Sequence, residues 1–223
     1  MKQSGLILLV WSIMTAAVAQ RFKPPCVYEN LLQKDKLEQT LKRYQAIYDF
    51  RKSDTLASVG AGSGTKEVIY SMMADSITFY LQDVNPICLT PENLTNTVRQ
   101  LYSAVGRMNT ATFIPVIGTE KETRLPRQLF DKIIIENTLH ELTYPTDVLT
   151  SVRANLKPDG YLFIEDFVAT RPGQKHRGCG KPLYTEEALI QLLDTIGFRL
   201  LDVTVVFPRT VADKIYKFAL KAE

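Results

Sequence analysis

Cysteine, histidine and tryptophan are scarce, with three, two and one residues in a chain of 223. Cys26, Cys88 and Cys179 form no C-x-x-C pair and stand in no Cys/His spacing suited to zinc, which excludes a zinc ribbon or a disulfide-dense scaffold. His140 and His176 are far apart in sequence and no acidic run has ligand spacing, so no metal centre is expected. An excess of one charge is also missing. The 27 basic and 24 acidic residues leave a net charge of +3, too little to mark a nucleic-acid partner, and none is expected. The one short basic cluster, Lys175-His176-Arg177, reads as a solvated loop. Eleven Gly and eleven Pro are too few for a collagen-like or low-complexity chain. The sequence has no nucleophile elbow, no Gly-Lys-Ser/Thr phosphate loop and no internal repeat.

What is present is apolar material, 45% of residues, enough for one large domain with its own core. Residues 1–19 stand apart. Lys2 is followed by an uncharged run centred on Leu6-Ile7-Leu8-Leu9-Val10-Trp11, and Ala17-Val18-Ala19 gives a small-x-small cleavage signal before Gln20. This is the pattern of a secretory signal peptide, and the run is short for a bilayer span. Cleavage leaves an exported protein, periplasmic or secreted, with no stable membrane span; without cleavage the run anchors the chain to a membrane. In an oxidising compartment one cysteine pair can close a disulfide, and the sequence does not choose the pair. Asn93-Leu94-Thr95 fits a glycosylation sequon, relevant only in a eukaryotic host.

Residues 20–54 read as an N-terminal arm and helix. Leu31, Leu32, Leu37, Leu41, Tyr44, Ile47 and Tyr48 recur at three- and four-residue spacings, predicting an amphipathic helix from Glu29 to about Phe50. From Thr55 to the C-terminus strand-like and helix-like segments alternate. Strands are expected at Thr55–Val59, Ile77–Leu81, Thr112–Ile117, Phe130–Ile135, Tyr161–Phe167, Leu200–Phe207 and Tyr216–Leu220. Helices are expected at Thr65–Ala74, Pro91–Val105, Tyr144–Leu156 and Thr185–Gly197. The alternation argues for an α/β fold with a parallel sheet covered on both faces.

The sharpest constellation is Gly60-x-Gly62-x-Gly64 at the end of the first strand. Without side chains the backbone can approach a ligand, and the next helix points its first N–H groups at polar ligand atoms. Asp83 closes the second strand, where a carboxylate can accept hydrogen bonds from a ribose diol. The pair suits an adenosine-type cofactor. A nicotinamide fingerprint spaces its glycines G-x-G-x-x-G instead, so a nicotinamide-dependent reductase is the weakest reading.

Four phrases carry a family resemblance: Val59-Gly60-Ala61-Gly62-Ser63-Gly64, Leu81-Gln82-Asp83-Val84, Phe130-Asp131-Lys132-Ile133-Ile134-Ile135-Glu136-Asn137 and Leu156-Lys157-Pro158-Asp159-Gly160-Tyr161-Leu162, the last two joined by Leu139-His140-Glu141-Leu142. With these the chain, from about residue 55 to 223, resembles the class I S-adenosylmethionine-dependent methyltransferases. The resemblance implies a Rossmann-like, seven-stranded, mostly parallel sheet with helices on both faces and an antiparallel last strand between its two neighbours. It implies S-adenosyl-L-methionine as cofactor, with Gly60, Ala61, Gly62 and Gly64 at its methionine part and Asp83 and Val84 at the ribose. Thr119 and Glu120 would lie by the adenine, and Glu136, Asn137 and His140 at the cofactor and substrate edge. The pattern departs from the family at Ser58, where an acid is usual two residues before the first glycine, and at Thr119, which also replaces a usual acid.

Methyl transfer from a sulfonium mainly requires positioning and desolvation of the acceptor, with a base only if the acceptor must lose a proton. His140 is the candidate base, since a neutral imidazole suits that task, against a loop-capping role. Glu141 reads as a solvated carboxylate, Asp166 as a rim residue or loop cap, and His176 as part of a loop that could cover the site. Tyr28, Tyr44 and Tyr48 could line an acceptor pocket or belong to the core. The leading expectation is an exported methyltransferase acting on a small-molecule or lipid-like acceptor. The alternative is a catalytically impaired binding or regulatory module, because export separates the protein from a donor made in the cytosol. The sequence does not fix the oligomeric state.

Overall fold

A computed structural model describes residue 26 and residues 29–207 and 213–222. The expected signal peptide, the Pro24-Pro25 arm and Tyr28 lie outside the described residues. Among those described, no helix is long and apolar enough to cross a membrane.

The elements in chain order are α1 (Lys34–Tyr48), β1 (Thr55–Val59), α2 (Thr65–Tyr70), β2 (Thr78–Asp83), α3 (Pro91–Ala104), β3 (Thr112–Ile117), β4 (Phe130–Glu136), α4 (Pro145–Asn155), β5 (Leu156–Phe167), α5 (Glu186–Ile196), β6 (Phe198–Val205) and β7 (Asp213–Leu220). The strands form one seven-stranded sheet in the order β3-β2-β1-β4-β5-β7-β6. β1 to β5 pair in parallel, and β7 runs antiparallel between β5 and β6. This is the Rossmann-like sheet that the sequence resemblance implies. Its order reverses at β1, which opens a crevice at the carboxyl ends of β1 and β4.

Alternation along the central strands divides the core in two. Ile134 and Phe163 face the side covered by α1, α2 and α3, whereas Ile133, Ile135, Leu162 and Ile164 face α4 and α5. Tyr48, Tyr70, Phe79, Phe163 and Phe130 are each fully buried, and each such side chain stabilises by about 1.5–3 kcal/mol. On the first face Tyr48 packs against the rings of Tyr44, Phe50, Tyr70 and Phe163. The parity that turns Phe163 toward α1 turns Glu165 the same way, and it turns Asp166 the opposite way.

Local chemistry sets the helix ends. Thr90 caps α3 by accepting from the Asn93 N–H, with Pro91 at the first position, and Thr185 caps α5 through the Ala188 N–H. The periodic run from Glu29 is interrupted: Glu29–Leu32 is a 3₁₀ turn, and extended Gln33 separates it from α1. α2 is shorter than its pattern, passing at Ser71 into a 3₁₀ turn where the Ser71 hydroxyl donates to the Val68 carbonyl. The Lys157–Gly160 turn is an excursion within β5, bracketed by the Phe130–Leu156 and Lys132–Tyr161 pairs.

Candidate functional site

The glycine loop leaves β1 by bonding the Gly60 and Ala61 N–H groups to the Gln82 carbonyl, both at 2.9 Å. Gly60 has φ +81°, and a Cβ there would fall 2.4 Å from the Thr138 side chain. Only glycine lets this loop pass that close to the turn after β4. The Gly62 N–H donates to Asp83 Oδ2 at 2.8 Å, and Asn85 N–H donates to Asp83 Oδ1 at 2.8 Å. Asp83 therefore binds the loop to the end of β2 and is held at a fixed angle. Beside it opens a cavity of about 520 Å³.

Of the expected contact residues, Gly60, Ala61, Gly62, Asp83, Val84, Thr119, Glu120, Glu136 and Asn137 line this cavity. Ser58 and Gly64 do not. Gly64 starts α2 with φ +70°, and its Cα faces the core, where a Cβ would meet Leu81 at 2.9 Å. Ser58 is buried in mid-sheet and donates its hydroxyl to Glu67 Oε1 at 2.7 Å. The Thr119 hydroxyl accepts from the Glu122 and Lys121 N–H groups, so it shapes the turn after β3.

Glu67 is the residue that sequence reasoning missed. It lies in the first turn of α2, is buried, and lines the cavity behind the glycine loop. Its Oε2 has no hydrogen-bond partner. Burial pushes its carboxyl above the ordinary carboxylate range, against the lowering effect of the Ser58 hydroxyl. A carboxyl raised in the folded state holds its proton more tightly there. That contribution to stability is present in acid and is lost as pH rises through the raised range. Glu67→Gln is therefore expected to melt higher than the unliganded parent at pH 7.5. The gain should shrink on acidification and vanish below the ordinary carboxylate range, as thermal melts across pH will record.

A second cavity, about 340 Å³, adjoins the first across Lys66, Glu136 and Asn137, which line both. Lys66 forms an ion pair with Glu136, and Tyr70 donates to Glu136 Oε2 at 2.9 Å. Asn137 takes the left-handed conformation at φ +49° and donates its N–H to the Glu165 carbonyl at 2.7 Å. On the far wall Tyr44 donates to Glu165 Oε1 at 2.7 Å, and Tyr48 donates to Oε2 at 3.3 Å. Burial raises the Glu165 carboxyl, opposed by Lys66 and the two hydroxyls. Tyr44 thus lines the pocket, while Tyr48 belongs to the core.

His140 lies outside both cavity walls. Its Nδ1 bonds Asp166 Oδ1 at 2.6 Å, and its backbone N–H donates to Asp166 Oδ2 at 3.0 Å. Burial pulls its imidazole down, but the Asp166 bond and charge, with Glu141, outweigh this and raise it above the usual range. Nε2 lies 3.8 Å from Glu141 and beside the loop carrying His176. The histidines that sequence distance seemed to separate have ring centroids 4.6 Å apart. Cys26 and Cys88 form a disulfide, and Cys179 is free and exposed.

The same fold recurs among known proteins. The Burkholderia thailandensis 1,6-didemethyltoxoflavin-N1-methyltransferase, solved with 1,6-didemethyltoxoflavin and S-adenosylhomocysteine bound, superimposes with a TM-score of 0.59 at 19% identity, covering 87% of this chain and 82% of that one. A SAM-dependent methyltransferase from Aquifex aeolicus gives 0.56 at 20% identity over 85% and 99%. The [4+2]-cyclase SpnF gives 0.60 at 17% over 85% and 82%. At such identities these likenesses show the fold. None of the curated proteins matches the chain. The profile of the methyltransferase domain family does match, across residues 31–203, and with that span of the sheet and its glycine loop inside it the chain belongs to the methyltransferase domain family.

Proposed function

We propose that the protein is an S-adenosyl-L-methionine-dependent methyltransferase acting outside the cytosol on a small molecule that bears polar groups. The observation that carries this is the 520 Å³ cavity walled by bare loop backbone and lined by both Asp83 and Glu67, whose buried Oε2 has no hydrogen-bond partner. A buried acceptor with no partner suits a cationic ligand group, and the ammonium of the methionine part is one. In this reading Glu67 supplies the carboxylate that Ser58 does not, and Asp83 and Val84 hold the ribose. Thr119 and Glu120 flank the base. When bound, S-adenosyl-L-methionine supplies an activated methyl group.

The second cavity holds the acceptor. Its walls carry Glu165, Asp213, Arg43 and Lys66 beside Leu31, Phe167 and Phe207, so they suit a small molecule with polar groups on an apolar body. Glu165 is the candidate base: it is aimed by Tyr44 and Tyr48, and its raised carboxyl lies closer to the range a base requires. His140, named as base from sequence, is outside this wall and is replaced by Glu165 in the proposal. The Cys26–Cys88 disulfide supports export, since such bonds persist in oxidising compartments.

A second reading is a ligand-binding module without turnover. Lys66 favours it by bringing a cation to the wall that the two cavities share, where a sulfonium would also lie. Calorimetric titration separates the possibilities. Micromolar binding of S-adenosylmethionine or S-adenosylhomocysteine supports a cofactor site, and no heat at millimolar ligand would sink it. Tight binding without slow hydrolysis or transfer favours the module. Glu67→Gln should weaken S-adenosylmethionine roughly tenfold, about 1.4 kcal/mol, from losing a charged acceptor.

A further inference from the structure

The hairpin between β5 and α5 is closed by its own backbone. Ala169 N–H donates to the Tyr184 carbonyl at 2.7 Å, Leu183 N–H to Gln174 at 3.0 Å, and His176 N–H to Lys181 at 2.8 Å. At its tip the Gly180 N–H returns to the His176 carbonyl at 2.9 Å, with Gly180 at φ +72°. This tight turn sets His176 and Cys179, three residues apart, on one side, with Nδ1 and Sγ 3.2 Å from each other. A two-residue gap between ligands is a spacing that zinc sites use. Across from the tip stand His140 and Glu141, in the turn after β4. One ligand atom from each of His140, Glu141, His176 and Cys179 falls within 4.8 Å of all the others.

Two features separate this cluster from a chance gathering of polar groups. The His140 side chain has no solvent exposure, and its Nε2 has no hydrogen-bond partner, yet it points into the cluster. Its other nitrogen bonds Asp166, which also accepts the His140 and Phe167 backbone N–H groups and so cannot swing away. A carboxylate holding Nδ1–H leaves the Nε2 lone pair free. That is how metal-binding histidines are oriented. The donor set of two imidazoles, one thiolate and one carboxylate is borderline-soft, which suits zinc rather than magnesium or calcium. In a tetrahedron with bonds of about 2.0–2.3 Å, neighbouring ligand atoms lie roughly 3.3–3.8 Å apart. The His140–Glu141 separation of 3.8 Å and the His176–Cys179 separation of 3.2 Å are already near that value.

We propose that His140, Glu141, His176 and Cys179 bind one divalent transition ion of the zinc class, which clips the 169–184 hairpin to the rim of the sheet. Four protein ligands close the coordination shell, so the ion is structural, and Asp166 is its positioning residue. Glu141 also lines the first cavity and Asp166 the second, so the clip braces one wall residue of each chamber. The inference does not depend on the methyl donor.

The test uses the purified protein, stripped by chelator without reductant so that the disulfide stays closed, and titrated with cobalt(II) alone. One equivalent should bind with intense visible bands of tetrahedral cobalt and a thiolate-to-cobalt charge-transfer band, and zinc should bleach both. Cys179→Ser, on the exposed turn, should abolish the charge-transfer band. His176→Ala should weaken binding at least 100-fold. Asp166→Asn should weaken it 10- to 100-fold and keep the charge-transfer band. Zinc should also protect Lys175 and Arg177 from trypsin. Absence of saturable cobalt binding, a weak octahedral spectrum, or a charge-transfer band that survives Cys179→Ser would overturn the site. Equal cleavage at Lys175 and Arg177 with and without zinc would overturn the clip.

Discussion

The Cys26→Ser/Cys88→Ala double variant is expected to melt roughly 10 °C below the oxidised parent. The disulfide spans 62 residues of sequence and joins the segment before α1 to the loop between β2 and α3. Closing a loop of that length removes chain entropy from the unfolded state worth about 4 kcal/mol. For a chain of this size each kcal/mol moves the melting temperature by about 2–4 °C. The bridge also bears on the site. The Cys26 carbonyl accepts from the Thr65 hydroxyl at the start of α2, and Cys88 follows Asp83 by five residues. Opening it frees the N-terminal segment from the helix that the glycine loop enters. Scanning calorimetry measures the shift, and thiol titration of the unreduced, unfolded parent should count one free cysteine. A shift below about 2 °C, or three free thiols, would remove the disulfide from the account of stability.

The architecture was legible because two signals survive without tertiary information. Short apolar runs bounded by turn residues mark β4 and β5, and the pleat then puts Ile133 and Ile134 on opposite faces. The glycine spacing, followed by Asp83 at the end of the next strand, marks the switch point of the sheet. What the sequence hid are pairings across the fold. Ser58 read as a missing acid, yet the first turn of α2 folds Glu67, nine residues later, back onto the Ser58 hydroxyl and buries a carboxylate there. A search for acids in the first turn after the glycines would have found it. Glu165 could have been found from its parity with Phe163, but its partners Tyr44 and Tyr48 come from a helix more than a hundred residues earlier. His140 and His176 meet only because a hairpin closed by main-chain bonds folds over the rim. The choice of Cys26 with Cys88 depends in the same way on where α2 and α3 place the loop between them.

Asp83→Ala is expected to weaken S-adenosylmethionine binding by about 3 kcal/mol, roughly 100-fold. Two hydrogen bonds from a ribose diol to an ionised acceptor are worth about 1.5 kcal/mol each at the low end of their range. The same carboxylate already accepts the Gly62 and Asn85 N–H groups, so its loss also loosens the glycine loop. The two effects are separable. Asp83→Asn keeps an oxygen for the Gly62 N–H but lacks the charge and half the acceptor capacity. Its affinity should fall between the parent and the alanine variant, and its melting temperature should lie closer to the parent's than the alanine variant's does, because the exposed Asn85 N–H that then faces the amide NH2 can turn to water. If loop anchoring were the whole role of Asp83, affinity would follow melting temperature across the three proteins and Asp83→Asn would bind normally. Calorimetric titration and thermal melts on one set of samples decide between them. An unchanged affinity in Asp83→Ala would mean that this cavity holds no ribose, and the cofactor reading would fall with it.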